Sequence, residues 1–172
     1  MPLLSKKEAS CRQEKMVADY MGWRVVTGSG ARPFKPGDVK NENYLVECKT
    51  HVEEQDNIVF YKKHWRKIST EARSVNRYPA LVVDNGTQKS NHTWVAVLLK
   101  CLPENIHIIQ GATNTSRSET TITFKSNELD NLYKLQHSDN KINYFLGWFG
   151  EDEIAIISLE EFRDYYRDQF GG

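Results

Sequence analysis

Two apolar runs in the middle of the chain constrain its fold most strongly. Residues 80–83 (Ala-Leu-Val-Val) form the first run, and residues 94–99 (Trp-Val-Ala-Val-Leu-Leu) form the second. Such near-continuous runs are typical of central strands covered on both faces of a sheet. A helix is predicted before the first run, over residues 60–76, because Tyr61, Trp65, Ile68 and Ala72 recur at helical spacing. We therefore expect an α/β fold.

The chain is long enough to bury a core as a single domain, at 172 residues. It contains no apolar run of about eighteen residues, so no membrane span is predicted. The apolar stretch at the N-terminus is too short for a signal peptide. Its three cysteines, Cys11, Cys48 and Cys101, fit neither a disulfide framework nor a zinc spacing. We expect reduced thiols in a cytoplasmic protein.

The formal net charge is zero, which disfavours a protein that coats nucleic acid nonspecifically. The charges are nevertheless unevenly distributed. Basic residues dominate positions 1–40, whereas positions 148–172 are acidic. This asymmetry is compatible with DNA binding on one side of the molecule.

Residues 28–49 are predicted to form a glycine turn followed by a hairpin. A short strand ends at Asp38, the triplet 41–43 (Asn-Glu-Asn) makes the turn, and the returning strand carries Glu47 and Lys49. Strand side chains alternate, so Glu47 and Lys49 project from one face. If Asp38 lies beside Glu47, two carboxylates and an ammonium suit Mg²⁺ and a phosphate. A solvated hairpin with a Glu47–Lys49 ion pair is the alternative.

The first helix is predicted from a capping box, Ser5 with Glu8, to about Tyr20, and Gly22 ends it. Its core stripe comprises Ala9, Met16, Val17, Tyr20 and Met21. Glu14 lies at the edge of this stripe, where an ordinary solvated glutamate is the alternative to a functional one.

The order Glu14, Gly37-Asp38 and Glu47-Cys48-Lys49 resembles the PD-(D/E)XK nuclease superfamily, in particular Holliday junction resolvase-like endonucleases of archaeal and phage type. The resemblance covers about residues 5–83 and implies a restriction-endonuclease-like core. That core has the order α-β-β-β-α-β, with a mixed central sheet flanked by helices. Gly37 stands where many members have proline.

The resemblance implies the residues of a metal-dependent site. Asp38 and Glu47 would bind Mg²⁺, for which Mn²⁺ can substitute, and the backbone carbonyl of Cys48 can add a ligand. Lys49 would assist the attacking water, and Glu14 would complete the site as a possible metal ligand. Glu8 is the rival of Glu14.

DNA contacts are expected on the glycine loop and on the second helix. The resemblance implies Ser29 and Arg32 in the loop, for which an ordinary turn is the alternative. Other basic candidates are Lys40 and, on one helix face, Lys62, Lys63 and Arg66, with Lys67, Arg73 and Arg77 nearby. Such a face can track phosphates or can simply be solvated. His64 has no ligand partner at suitable spacing and is interpreted as a surface residue.

Residues 1–103 are interpreted as the nuclease core, and 104–172 as a C-terminal α+β extension packed on the same domain. In the extension we expect a strand within 105–110, a loop at 112–119 and a strand at 120–125. A helix at 127–135, a hairpin of 144–149 with 153–158, and a final helix capped by Ser158 and ending near Gln169 follow. The aromatic residues of 144–149 are interpreted as core, with a dimer interface or a base-stacking surface as alternatives.

These observations predict a Mg²⁺-dependent endodeoxyribonuclease, in particular a Holliday junction resolvase acting in DNA recombination or repair. Branched or double-stranded DNA is the expected partner, and a homodimer is expected because resolution requires two symmetric cuts. If the gene is phage-encoded, the host cytoplasm is the expected location. The alternatives are a repair, nicking or restriction-type nuclease of the same fold, and a non-catalytic nucleic-acid-binding module.

Overall fold

The computed structural model describes residues 4–27, 36–102, 107–108, 120–125, 127–129 and 143–171. Three α-helices have bounds within these ranges, namely α1 (Lys6–Met21), α2 (Lys62–Ser74) and α3 (Leu159–Phe170). The first strands are β1 (Arg24–Val25), β2 (Val39–Lys40), β3 (Tyr44–Lys49), β4 (Asn57–Tyr61) and β5 (Tyr78–Asp84). The remaining strands are β6 (Thr93–Leu98), β7 (His107–Ile108), β8 (Thr121–Lys125), β9 (Asn143–Phe149) and β10 (Asp152–Ser158). Among the described residues, no helix is long and apolar enough to cross a membrane.

The central sheet is mixed, which confirms the predicted α/β class. Its strand order is β1-β2-β3-β5-β6-β10-β9, and the short β7 extends it beside β9. Strands β3 and β5 run parallel and are connected through β4 and α2, whereas β5, β6, β10 and β9 pair antiparallel in that order. The C-terminal hairpin of β9 and β10 therefore belongs to the same sheet as β3.

The two faces of this sheet carry separate hydrophobic clusters. On one face, Val46 and Val82 pack with Val17 of α1 and Phe162 of α3. On the other face, Leu45 and Leu81 pack with residues of α2 and of a two-stranded sheet formed by β4 and β8. Because β3 and β5 are covered on both sides, they are apolar at successive positions.

Local capping signals position α1 as predicted. The Ser5 hydroxyl accepts a hydrogen bond from the Glu8 N–H at 3.1 Å, and the Glu8 carboxylate accepts one from the Ser5 N–H at 2.8 Å. Gly22 ends the helix in the left-handed conformation, with φ of 73°. Both ends of α1 are thus fixed by residues that the sequence identifies.

Several predicted boundaries are wrong. The second helix begins at Lys62 rather than residue 60, because residues 57–61 form the strand β4, with Ile58 and Phe60 buried. The sequence predicts the first strand over residues 23–27, but β1 is only two residues long. It predicts the strand of the second apolar run over residues 93–102, but β6 ends at Leu98 and a 3-10 turn follows. Asp38 lies immediately before β2 and not at the end of a strand.

The C-terminal elements largely follow the prediction. The hairpin and α3 form as expected, and the Ser158 hydroxyl accepts a hydrogen bond from the Glu161 N–H at 3.1 Å. Tyr144, Phe145 and Phe149 are buried, so this part of the aromatic patch is core. The predicted loop at 112–119 and most of the helix at 127–135 lie outside the described residues.

Candidate active site

The hairpin of β2 and β3 brings Asp38 beside the part of β3 that carries Glu47. Val39 pairs with Val46 in the antiparallel register, and the Asp38 N–H donates to the Val46 carbonyl at 2.8 Å. Asp38 and Val39 thus both face Val46, as the two residues of a β-bulge do, so Asp38 lies directly beside β3 but outside its regular register. The two arms are therefore arranged as the sequence predicts, although Asp38 precedes its strand.

The Asp38 carboxylate is attached to the main chain of β3. Its Oδ2 atom accepts the Cys48 N–H at 2.8 Å, and the Asp38 side chain is buried. The N–H and C=O of a strand residue point towards the same side of the strand. The Cys48 carbonyl is therefore directed towards the strand edge that carries Asp38, as a backbone metal ligand at this position requires.

Glu47 is nearly inaccessible to water and is bonded to two lysines. Its side chain is 2 % exposed, and its Oε1 atom lies 3.0 Å from the Lys49 Nζ. Lys67 of α2 approaches both carboxylate oxygens, at 3.1 Å from Oε1 and 2.9 Å from Oε2. From the sequence, Lys67 is recognisable only as part of a basic helix face. Its role at Glu47 becomes visible when α2 packs on β3.

Glu14 of α1 contributes a third carboxyl group to the same region. Burial and the negative charges of Asp38 and Glu47 together raise its pKa from 4.5 to about 7, and Lys49 opposes the shift. Glu14 therefore lies within electrostatic range of all three residues of the hairpin site. The rival residue Glu8 is exposed and completes the capping box.

Gln13, which the sequence analysis did not single out, joins α1 to the end of β3. It is fully buried, and its Nε2 atom donates to the Lys49 carbonyl at 2.6 Å. A signal was present in the sequence, because Gln13 lies between Ala9 and Val17 on the buried stripe of α1. This contact fixes the helix turn that carries Glu14 against the strand that carries Glu47 and Lys49.

Helix α2 also reaches the other arm of the hairpin. The Glu71 Oε2 atom accepts the Gly37 N–H at 3.0 Å, directly before Asp38. Glu71 Oε1 lies 3.8 Å from the Lys67 Nζ, one helical turn away. One helix thus contacts both the Gly37-Asp38 segment and Glu47.

His64, interpreted from the sequence as a surface residue, is half-buried. Burial lowers its pKa to about 4, and the positive charges of Lys49, Lys63 and Lys67 act in the same direction, opposed by Glu47. His64 is therefore neutral at pH 7. It lies on the face of α2 that is directed towards β3.

The predicted DNA-contact residues occupy different places. Lys63 and Arg66 are exposed on α2 and Lys62 is half-buried there. Lys40 lies near the hairpin turn and lines a cavity with Trp23 and Arg24. Ser29 and Arg32 lie outside the described residues. Lys63 and Lys49 both act electrostatically on His64. Lys40 pairs with Leu45, towards the turn of the hairpin.

The residues at this site fit a magnesium ion better than a metal held by protein side chains alone. Within the described ranges, no group of three or more His, Cys, Asp or Glu residues could hold a metal ion. Mg²⁺, however, usually takes only one or two carboxylates and retains several waters. The hard oxygen donors available are the carboxylates of Asp38 and Glu47 and the Cys48 carbonyl, with Glu14 beside them.

Comparison with known proteins identifies no relative, since no protein-family model, no curated protein and no solved structure matches the chain. The case for a function therefore depends on the residues of the site.

Proposed function

We propose that the chain is a Mg²⁺-dependent endodeoxyribonuclease with a restriction-endonuclease-like core. The observation that carries this proposal is the convergence of three carboxyl groups and a lysine from separate elements at one end of β3. Asp38 comes from the start of β2, Glu47 and Lys49 from β3, and Glu14 from α1. Burial raises the pKa of Glu14, and the charges of Asp38 and Glu47 contribute to the same shift.

Asp38, Glu47 and the Cys48 carbonyl would hold the metal, with Glu14 as a further possible ligand. When bound, Mg²⁺ or Mn²⁺ supplies Lewis-acid stabilisation of the phosphodiester oxygens and lowers the pKa of a bound water. Two carboxylates with water molecules in the remaining positions agree with the usual coordination of Mg²⁺.

The protein side chains would position and neutralise the reacting groups. The Lys49 ammonium, 3.0 Å from Glu47 and 39 % exposed, can orient the attacking water and offset the charge of the phosphate in the transition state. The Glu14 carboxyl, with a pKa raised to about 7 by burial and by its acidic neighbours, can accept a proton near neutral pH. Gln13 would hold α1 against the end of β3.

The exposed cations of α2 support DNA as the substrate. Lys63 and Arg66 project from the helix that packs over Glu47 and can contact backbone phosphates without reading sequence. A four-way junction is the substrate that we propose, and a symmetric dimer would cut it twice. The net charge of zero favours such a local basic surface over a general affinity for nucleic acid.

A substrate panel tests this proposal. End-labelled four-way junction, linear duplex and single strand of matching sequence are incubated with the protein and Mg²⁺, and the products are mapped to the nucleotide. Paired symmetric nicks in the junction alone are expected for a resolvase.

The other results identify the alternatives. Cleavage of linear duplex as well would retain the active site and indicate a repair, nicking or restriction-type nuclease of the same fold. Absence of cleavage with both Mg²⁺ and Mn²⁺, together with retained DNA binding, would contradict the enzyme and favour a non-catalytic binding module.

A further inference from the structure

The buried Glu47 carboxylate is associated with two ammonium groups of different origin. Lys49 comes from the same strand, two residues along, whereas Lys67 comes from α2. Lys67 is the more closely engaged, because it approaches both carboxylate oxygens at 2.9 and 3.1 Å. A carboxylate oxygen paired with an ammonium is less available to a metal ion, because the ammonium and the metal ion compete for the same lone pairs and repel each other.

Lys67 also has a second acidic partner within reach. Glu71 lies one turn further along α2, with its Oε1 atom 3.8 Å from the Lys67 Nζ. The other Glu71 oxygen is fixed by the Gly37 N–H at 3.0 Å, so the Glu71 carboxylate is held close to the site. The Lys67 side chain is 52 % exposed and therefore has room to move between the two carboxylates.

We propose that Lys67 is the resident counterion of the candidate metal site. Its ammonium neutralises Glu47 while no metal is bound, and it moves to Glu71 when a divalent cation takes the Glu47 oxygens. This inference depends on the proposed metal-dependent function.

Lys67 rather than Lys49 suits this role for two reasons. It contacts both Glu47 oxygens, so a metal ion that binds either oxygen has to displace it. It also retains Glu71 as a partner after displacement, so its charge is not left without compensation. The consequence is a lower affinity for the metal than the oxygen donors alone would give, together with a Glu47 side chain that is already oriented before the metal arrives.

Calorimetric titration with Mn²⁺ tests the proposal without relying on catalysis. In Lys67→Met the long apolar stem is retained and the competing charge is removed, so Mn²⁺ should bind about three- to fivefold more tightly, in keeping with a half-exposed ion pair. Lys67→Arg keeps the charge and adds a second donor to Glu47, so it should bind no more tightly than the wild type. Lys89→Met removes an exposed lysine elsewhere and should bind as the wild type does.

Glu71→Gln provides an independent test, in which the Mn²⁺ affinity should change in the opposite direction. Gln can still accept the Gly37 N–H, but it removes the alternative partner of Lys67, so Mn²⁺ should bind more weakly. Thermal melts of all the variants verify that they are folded, and the Glu71 result decides the question if Lys67→Met does not fold.

The outcomes separate this inference from the function on which it depends. If Glu47→Gln abolishes Mn²⁺ binding but Lys67→Met leaves the affinity unchanged or weaker, Lys67 is not a counterion and the metal site stands. If neither the wild type nor Lys67→Met binds Mn²⁺, the metal site itself is refuted together with this role.

Discussion

Replacing Glu14 by glutamine should stabilise the metal-free protein above neutral pH and have little effect near pH 4. In the wild type, burial and the charges of Asp38 and Glu47 raise the pKa of Glu14 from 4.5 to about 7. Below pH 4.5, Glu14 is protonated in both the folded and unfolded states. As the pH rises, the unfolded chain releases this proton first, so the folded state becomes less stable until the pH exceeds about 7.

The size of the effect follows from the same shift. A change from 4.5 to about 7 corresponds to ~3.4 kcal/mol if the interactions are fully expressed. Because Glu14 is only half-buried, solvent screening reduces this to about 1 kcal/mol. The free energy of unfolding of Glu14→Gln should therefore exceed that of the wild type by about 1 kcal/mol more at pH 8 than at pH 4.5.

Urea unfolding in the presence of a chelator, followed at both pH values, measures this difference. The wild-type free energy of unfolding has to be subtracted at each pH, because a second glutamate gives the wild type a pH dependence of its own. Burial, together with Asp164 and Glu160, raises the pKa of Glu161 to about 7. Glu54→Gln, at an exposed position, serves as the control and should show no pH-dependent difference. A Glu14→Gln difference that is constant with pH would refute the buried and acidic surroundings of Glu14.

Two further predictions concern the support of the site. In a urea melt, Gly37→Ala should destabilise the protein by about 1 kcal/mol more than Gly22→Ala does. Both glycines have positive φ, but only at Gly37 would the new Cβ approach the Leu45 side chain, to 2.6 Å. Equal losses of stability would contradict this. Gln13→Met should lower the free energy of unfolding by about 1–2 kcal/mol, because the Lys49 carbonyl loses the donor now 2.6 Å away, and an unchanged urea midpoint would contradict this.

Local sequence signals predicted the elements that depend on near neighbours. The capping box of Ser5 and Glu8 and the terminating Gly22 define α1, and the turn at 41–43 defines the hairpin. The apolar runs correctly identified β5 and β6 as central strands. In each case the residues that determine the element lie within it or directly beside it.

The sheet of β4 and β8 could not be predicted in this way. Ile58 pairs with Phe124 and Phe60 with Ile122. These partners are far apart in the sequence, so no local pattern could predict the pairing. The helical spacing of Tyr61 and Trp65 also gave a predicted helix start at residue 60, before the observed start at Lys62. Tertiary packing therefore decided an assignment that local periodicity left ambiguous.

The candidate site was predictable in its hairpin but not in its surroundings. The spacing of Asp38, Glu47 and Lys49 indicated that they converge, and the hydrogen bond between the Asp38 carboxylate and the Cys48 N–H agrees with this. The contacts of Gln13 and Lys67 depend on how α1 and α2 pack on β3, which the sequence does not encode locally. The resemblance to PD-(D/E)XK nucleases and its implied activity stay a prediction.

The most direct test of the central claim is Mg²⁺-dependent cleavage of a labelled four-way junction by Asp38→Asn beside the wild type. The substitution preserves the shape of the side chain and removes the charge proposed to bind the metal, so activity should fall at least 100-fold. Asp56→Asn, an equivalent change at an exposed position, should retain wild-type activity. Metal-dependent cleavage that survives in Asp38→Asn, or a wild type that cleaves no DNA with Mg²⁺ or Mn²⁺, would contradict the account.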